Sequence, residues 1–137
     1  MGEDGQRTAL LVEDDPDLRP ELRRCLEEIG FDVVEVGSGR LAVDVLGRVA
    51  PAIVVLDLML PELSGLEVCE YIRRTPELKR VPVLITSARG MPQDRAQAEE
   101  AGADAYLVKP FSKDELIDAV RRLVWPKIRR LRPPPRR

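Results

Sequence analysis

The pattern of this chain predicts an α/β fold, a parallel sheet with helices on both faces. Two observations carry that reading. Short apolar runs alternate with longer stretches of helical periodicity, five times in succession, and five β-then-α units in a row close most simply into a parallel sheet. Charged residues also follow three of the apolar runs directly. In an open α/β sheet the carboxyl ends of the strands are where ligands bind.

The first strand is expected over Thr8–Val12, where Ala9-Leu10-Leu11-Val12 leads into Glu13-Asp14-Asp15. A helix follows over Asp17–Ile29, with Leu18, Leu22, Cys25, Leu26 and Ile29 at three- and four-residue spacing. Pro20 lies inside that stretch. It is compatible with a helix if Asp17 is the N-cap, because the first turn needs no amide partner there. Gly30 stops the helix. A second strand is read at Asp32–Val36 and a second helix at Gly39–Val49. The third strand, Ile53–Leu56, runs into Asp57. The third helix, Gly65–Arg73, opens on the capping box Ser64-Gly65-Leu66-Glu67.

Strand four spans Val83–Thr86, and helix four spans Gln93–Ala101. Strand five is Ala105–Val108, followed by Lys109-Pro110, whose proline ring disfavours helical geometry at the lysine. The last helix runs from Lys113 to about Trp125. It opens on a second box, Ser112-Lys113-Asp114-Glu115, and buries Leu116, Ile117, Val120, Leu123 and Val124. Pro126 ends or kinks it, and Pro133-Pro134-Pro135 makes a short stiff segment.

The composition narrows the function classes. One domain of ordinary size accounts for 137 residues. The chain contains no histidine, which removes histidine-based zinc sites, Ser-His-Asp triads and any role as a phosphohistidine donor. Cys25 and Cys69 form no CxxC motif and read as reduced, packed thiols. No apolar run is long enough to cross a membrane, and the acidic N-terminus is unlike a secretory signal, so a cytoplasmic protein is expected. Residues 1–125 hold 16 basic and 24 acidic side chains, a balance of −8, whereas residues 126–137 hold six basic and no acidic ones.

The acids and the lysine define the chemistry. Three carboxylates held close together resist ionisation, and a bound Mg²⁺ removes that penalty. Taken alone, Glu13, Asp14 and Asp15 could simply favour the positive end of a helix. Asp57 shifts the balance, because an acid placed after five apolar residues is costly to bury without a partner. Lys109 could neutralise these acids or hold a phosphoryl oxygen. Thr86 and Ser87 end the fourth apolar run, where a hydroxyl could donate to the same oxygen or finish a turn.

Together these segments resemble the receiver domain of bacterial response regulators. The resemblance rests on Leu10-Leu11-Val12-Glu13-Asp14-Asp15, on Val55-Leu56-Asp57-Leu58-Met59-Leu60-Pro61 with Gly65, and on Val81-Pro82-Val83-Leu84-Ile85-Thr86-Ser87-Ala88. Its last stretch is Ala101-Gly102-Ala103-Asp104-Ala105-Tyr106-Leu107-Val108-Lys109-Pro110-Phe111. It covers about residues 7–124, so the receiver domain is taken as 7–125 and residues 126–137 as a basic tail, expected to be disordered.

The resemblance implies a flavodoxin-like, doubly wound (βα)5 fold with a five-stranded parallel sheet in the order 2-1-3-4-5. It implies that Asp57 is the phosphoacceptor, and that Glu13 and Asp14 hold Mg²⁺ with Asp57 and the backbone carbonyl of Met59. Ser87 and the Ala88 amide would bind the phosphoryl group, and Lys109 would pair with one of its oxygens. Tyr106 would be the aromatic whose rotamer follows Ser87. Glu13 stands where an aspartate is more usual, a common variant. Every position needed for phosphorylation is filled, which argues against a receiver that no longer responds to phosphate.

The partner implied is a sensor histidine kinase or a histidine phosphotransfer protein. Signal would leave through the fourth helix, fifth strand and fifth helix, to an unnamed protein partner. The protein would be a monomer or weak homodimer with no enzymatic turnover beyond its own phosphorylation and dephosphorylation. Three other readings compete: the regulatory fragment of a DNA-binding transcription factor, a phosphate-independent scaffold, and a hydrolase using Asp57 as nucleophile. Dehalogenase-like phosphatases carry a second acid two residues after the nucleophile, and here that residue is Met59. The tail alone cannot build a DNA-reading fold, so direct nucleic-acid binding is not expected.

Overall fold

The computed structural model describes residues 7–124. Among the described residues ten elements alternate: β1 (Thr8–Val12), α1 (Leu18–Ile29), β2 (Asp32–Val36), α2 (Gly39–Leu46), β3 (Ile53–Asp57), α3 (Gly65–Arg74), β4 (Val83–Ser87), α4 (Pro92–Ala101), β5 (Ala105–Val108) and α5 (Lys113–Val124). All neighbouring strands pair in parallel, in the order β2-β1-β3-β4-β5. This is the predicted doubly wound sheet.

Side chains alternate across a strand, and that alternation divides the core in two. Leu10 and Val12 of β1 and Val54 and Leu56 of β3 point to one face, where they meet Ala42, Leu46, Val68, Cys69, Ile72, Ala98 and Ala101 of α2, α3 and α4. Ala9, Leu11, Ile53 and Val55 point to the other face, against Leu22, Leu26, Leu116, Val120 and Val124 of α1 and α5. Strands covered on both sides have no polar face, which is why they read as continuous apolar runs. Both cysteines are free thiols, and burial raises the Cys69 thiol to about 11.

Most helix ends obey their local signals. Gly30 closes α1 in a left-handed conformation at φ 118°. The boxes at Ser64/Glu67 and Ser112/Glu115 both form, each hydroxyl accepting from one backbone amide and each glutamate from the other. Asp17 is the N-cap of α1, as expected, and Pro20 falls in the first turn; the Asp17 side chain makes no capping hydrogen bond, and its amide donates to Asp15 Oδ1 at 2.9 Å. One expectation needs correction. The second helix ends at Leu46 rather than Val49, with Gly47 as its C-cap. Trp125, Pro126 and the basic tail lie outside the described residues.

Candidate phosphoryl-acceptor site

Parallel pairing gathers the carboxyl ends of the strands at one edge of the sheet. Register fixes who meets whom: Val12 pairs with Leu56, Asp57 with Thr86, and Ser87 with Val108. Glu13, Asp14, Asp57, Ser87 and Lys109 therefore reach the same edge from four strands, as the apolar runs predict. Glu13, Asp57 and Ser87 are buried, at 1%, 5% and 0% exposure, while Asp14 is exposed.

The backbone beneath these side chains is firmly tied. Glu13 N–H donates to Val36 O at 3.1 Å, Leu58 N–H to Thr86 O at 2.8 Å, and Lys109 N–H to Ser87 O at 2.8 Å. Gly65 brings the start of α3 hard against the end of β3. A Cβ at that position would lie 2.4 Å from Asp57 O and 2.8 Å from Leu58 Cα, so only glycine permits the approach.

Lys109 is the hub of the pocket. Its Nζ donates to Glu13 Oε1 and to Asp57 Oδ2, each at 3.0 Å. The second oxygen of Asp57 accepts from Met59 N–H at 3.0 Å, and the second oxygen of Glu13 from Asp15 N–H at 3.1 Å. The Lys109–Pro110 peptide bond is cis. Burial raises the Glu13 pKa, the Asp57 charge raises it further, and the Lys109 hydrogen bond only partly offsets both. Burial opposes the Lys109 charge, but hydrogen bonds to Asp57 and Glu13 outweigh it and raise the ammonium's pKa.

Oxygen atoms of Glu13, Asp14 and Asp57 all lie within 4.8 Å of one another. Three carboxylates against one ammonium leave the pocket short of positive charge. An all-oxygen, anionic donor set suits a hard divalent cation rather than a soft one. The residues present thus fit the metal that the sequence pattern implies.

The flank of the site is built differently. Ser87 Oγ accepts from Arg89 N–H at 3.0 Å. Tyr106 Oη donates to Arg89 O at 2.6 Å, and the Arg95 guanidinium sits 5.2 Å from the centre of its ring. Ala88, Arg89 and Met59 are exposed around the pocket mouth. Sequence reasoning missed Arg19, whose Nη1 donates to Glu13 O at 3.0 Å while its Nε pairs with Glu35 at 3.3 Å. The signal available was an arginine five residues beyond Asp14, in the first turn of α1.

The family model for the response regulator receiver domain matches residues 9–121. The chain belongs to that family. Among curated relatives, the receiver is 42% identical over 115 residues to the response regulator MprA of Mycolicibacterium vanbaalenii, covering 84% of this chain and 49% of that protein. It is 40% identical over 114 residues to the phosphate regulon transcriptional regulatory protein PhoB of Rhizobium meliloti, covering 83% and 50%. It thus spans about half the length of these relatives. Among solved structures, the receiver domain of the sensor histidine kinase PA1611 from Pseudomonas aeruginosa superposes with a TM-score of 0.80 at 31% identity, over 86% of this chain and 97% of that one. That structure is described with a magnesium ion coordinated in its active-site cleft.

Proposed function

We propose that this receiver accepts a phosphoryl group on Asp57 from a phosphohistidine of a sensor kinase or phosphotransfer protein. The observation that carries the reading is the buried Asp57 carboxylate. It is held by Lys109 Nζ at 3.0 Å and by the Met59 amide at 3.0 Å, with oxygens of Glu13 and Asp14 within 4.8 Å. Those contacts orient the nucleophile before a donor arrives, and positioning is much of what phosphoryl transfer requires.

An Asp57 oxygen forms the new O–P bond as the P–N bond to the donor imidazole breaks, and the bonding pair leaves on the imidazole nitrogen. Lys109 stays beside the developing negative charge and offsets it. Glu13, Asp14, Asp57 and the Met59 carbonyl would hold Mg²⁺, which when bound supplies further charge neutralisation at the phosphoryl oxygens. Ser87 Oγ gives up its bond from the Arg89 amide and donates to the phosphoryl group, with the Ala88 amide beside it. Tyr106 then follows, since Arg89 is the residue that both Ser87 and Tyr106 engage. The α4–β5–α5 surface thereby changes shape, a local charge event read out at a distance. Catalysis is confined to the protein's own phosphorylation and dephosphorylation.

Among the described residues no helix is long and apolar enough to cross a membrane, which accords with a cytoplasmic signalling role. The name of the Rhizobium relative favours one form of output, control of transcription by a longer regulator that carries such a receiver.

Intact mass after incubation with a small phosphoryl donor tests the assignment. Wild type gains one phosphoryl group only when Mg²⁺ is present, and Asp57→Asn, folded by circular dichroism, gains none. Full labelling of Asp57→Asn would overturn it.

A further inference from the structure

Glu13 is gripped at both ends of its backbone. Its N–H donates to Val36 O of β2, and its carbonyl accepts from Arg19 Nη1 at 3.0 Å. That carbonyl belongs to the peptide unit joining Glu13 to Asp14, so its direction constrains the backbone from which the Asp14 side chain departs. Asp14 is exposed, and among the described residues no hydrogen bond to its side chain holds it in place. Arg19 is in turn aimed by Glu35 of β2, through Nε at 3.3 Å, and its own amide donates to Asp15 O at 3.0 Å. Arg23 binds the other Glu35 oxygen and fixes that carboxylate as well.

The room for this guanidinium is built in. A Cβ on Gly37, just beyond β2, would lie 2.7 Å from Arg19 Nη1. The φ of Gly37 is not in the left-handed region, so the glycine is there for space rather than for conformation.

We propose that Arg19 is a positioning residue for the acid pocket, working from outside it. Clamped to Glu35, it turns the Glu13–Asp14 peptide so that both carboxylates face the divalent cation. The proposal rests on the reading of Glu13 and Asp14 as metal ligands. Coulomb's law gives a sign that separates it from a bland surface ion pair. Arg19 is a cation near an anionic pocket, so deleting it should raise affinity for a divalent cation if charge alone mattered. A positioning role predicts the reverse. Losing a group that orients metal ligands typically weakens binding 10–100-fold.

The experiment is calorimetric titration of Mg²⁺ into the whole chain for wild type, Arg19→Ala, Arg19→Lys and Gly37→Ala. Gly37→Ala keeps the charge and only pushes the guanidinium aside, so it decides the matter if Arg19→Ala does not fold. Affinity should fall roughly tenfold in Arg19→Ala and Gly37→Ala. Arg19→Lys should recover only part of it, since one ammonium cannot serve Glu13 O and Glu35 with a fixed fork. Unchanged or tighter binding in Arg19→Ala and Gly37→Ala overturns the proposal. A second readout needs no metal: the Glu13 and Asp15 amides should exchange hydrogen faster in both variants. Absence of Mg²⁺ binding in wild type would sink the metal reading itself, and unaltered exchange would sink the clamp independently.

Discussion

β3 and β5 flank β4 on its two sides and deliver Asp57 and Lys109 to the same pocket, yet they are held in different ways. All five residues of β3 are buried, while all four of β5 are only half-buried. The helix after β3 packs Val68, Cys69 and Ile72 into the core; the helix before β5 buries only Asp94, Ala98 and Ala101. On the β5 side, polar contacts take over from apolar bulk: Asp94 accepts from the Met91 amide, Tyr106 donates to Arg89 O, and Arg95 covers the Tyr106 ring. Small side chains and surface hydrogen bonds cost little to exchange, whereas close-packed Val and Ile resist displacement. The Asp57 carboxylate thus stands on a rigid floor, and the compliant quarter of the fold lies next to it.

The sharpest way to break that contrast is to add one methyl group on each side. At Gly65 a Cβ meets backbone at 2.4 and 2.8 Å, and backbone cannot step aside. Gly65→Ala should cost roughly 3 kcal/mol, the upper end for overpacking, and should disturb Mg²⁺ binding with it. At Gly90 the nearest atoms are Val108 methyls at 3.2 Å, which can yield. Gly90→Ala should stay within about 0.5 kcal/mol of wild type. Urea unfolding of the two variants measures the difference directly. Equal costs would mean that the β5 flank is as unyielding as the floor.

A smaller effect comes from charge rather than volume. Glu13 keeps its proton to higher pH in the folded state than its ordinary value of 4.5, chiefly because it is buried. Between those two values the native state binds more protons than the unfolded state, so this group removes stability as pH rises. Lys109 has the opposite bearing: its raised pKa contributes stability that is lost only as pH climbs through the folded value, above 10.5. Glu13→Gln should therefore be more stable than wild type at neutral pH, with the advantage fading as pH falls towards 4.5. Unfolding midpoints for the pair across that range test the sign. An advantage that grows on acidification would place the penalty elsewhere.

The rigid side is also the side that the sequence made legible. Strands buried on both faces appear as unbroken apolar runs, and an acid placed straight after such a run has few structural alternatives. Asp57 and Glu13 were readable for that reason. Their surroundings were not. The targets of Arg19, Arg89 and Arg95 depend on which loops tertiary packing brings within reach of long side chains, and helical spacing alone does not encode that. Ala105–Val108 is as apolar in sequence as β3, so nothing local announced that it would be only half-covered; β5 is an edge strand, paired among the described residues with β4 alone.

The finest test of the comparison removes the clasp on Tyr106 while leaving its ring. Tyr106→Phe loses one hydrogen bond to Arg89 O, and Arg95→Ala loses a cation over the ring. A neutral hydrogen bond is worth about 1 kcal/mol net, and an exposed cation–π contact about 0.5–1 kcal/mol. Neither loss should approach the cost of Gly65→Ala. The consequence should be local: faster hydrogen exchange at the Asp94 and Arg95 amides, with the amides of β3 unchanged. If the β3 amides loosened too, the clasp would be carrying the floor, and the division between rigid acceptor and yielding surface would fail. If only α4 loosened, the bonds that hold the surface in its present form would be the same few that the proposed phosphorylation of Asp57 would have to exchange. On the proposed reading, a switch built that way needs little energy to throw, because a charge added at Asp57 would compete with hydrogen bonds to one loop rather than with the packing of the core.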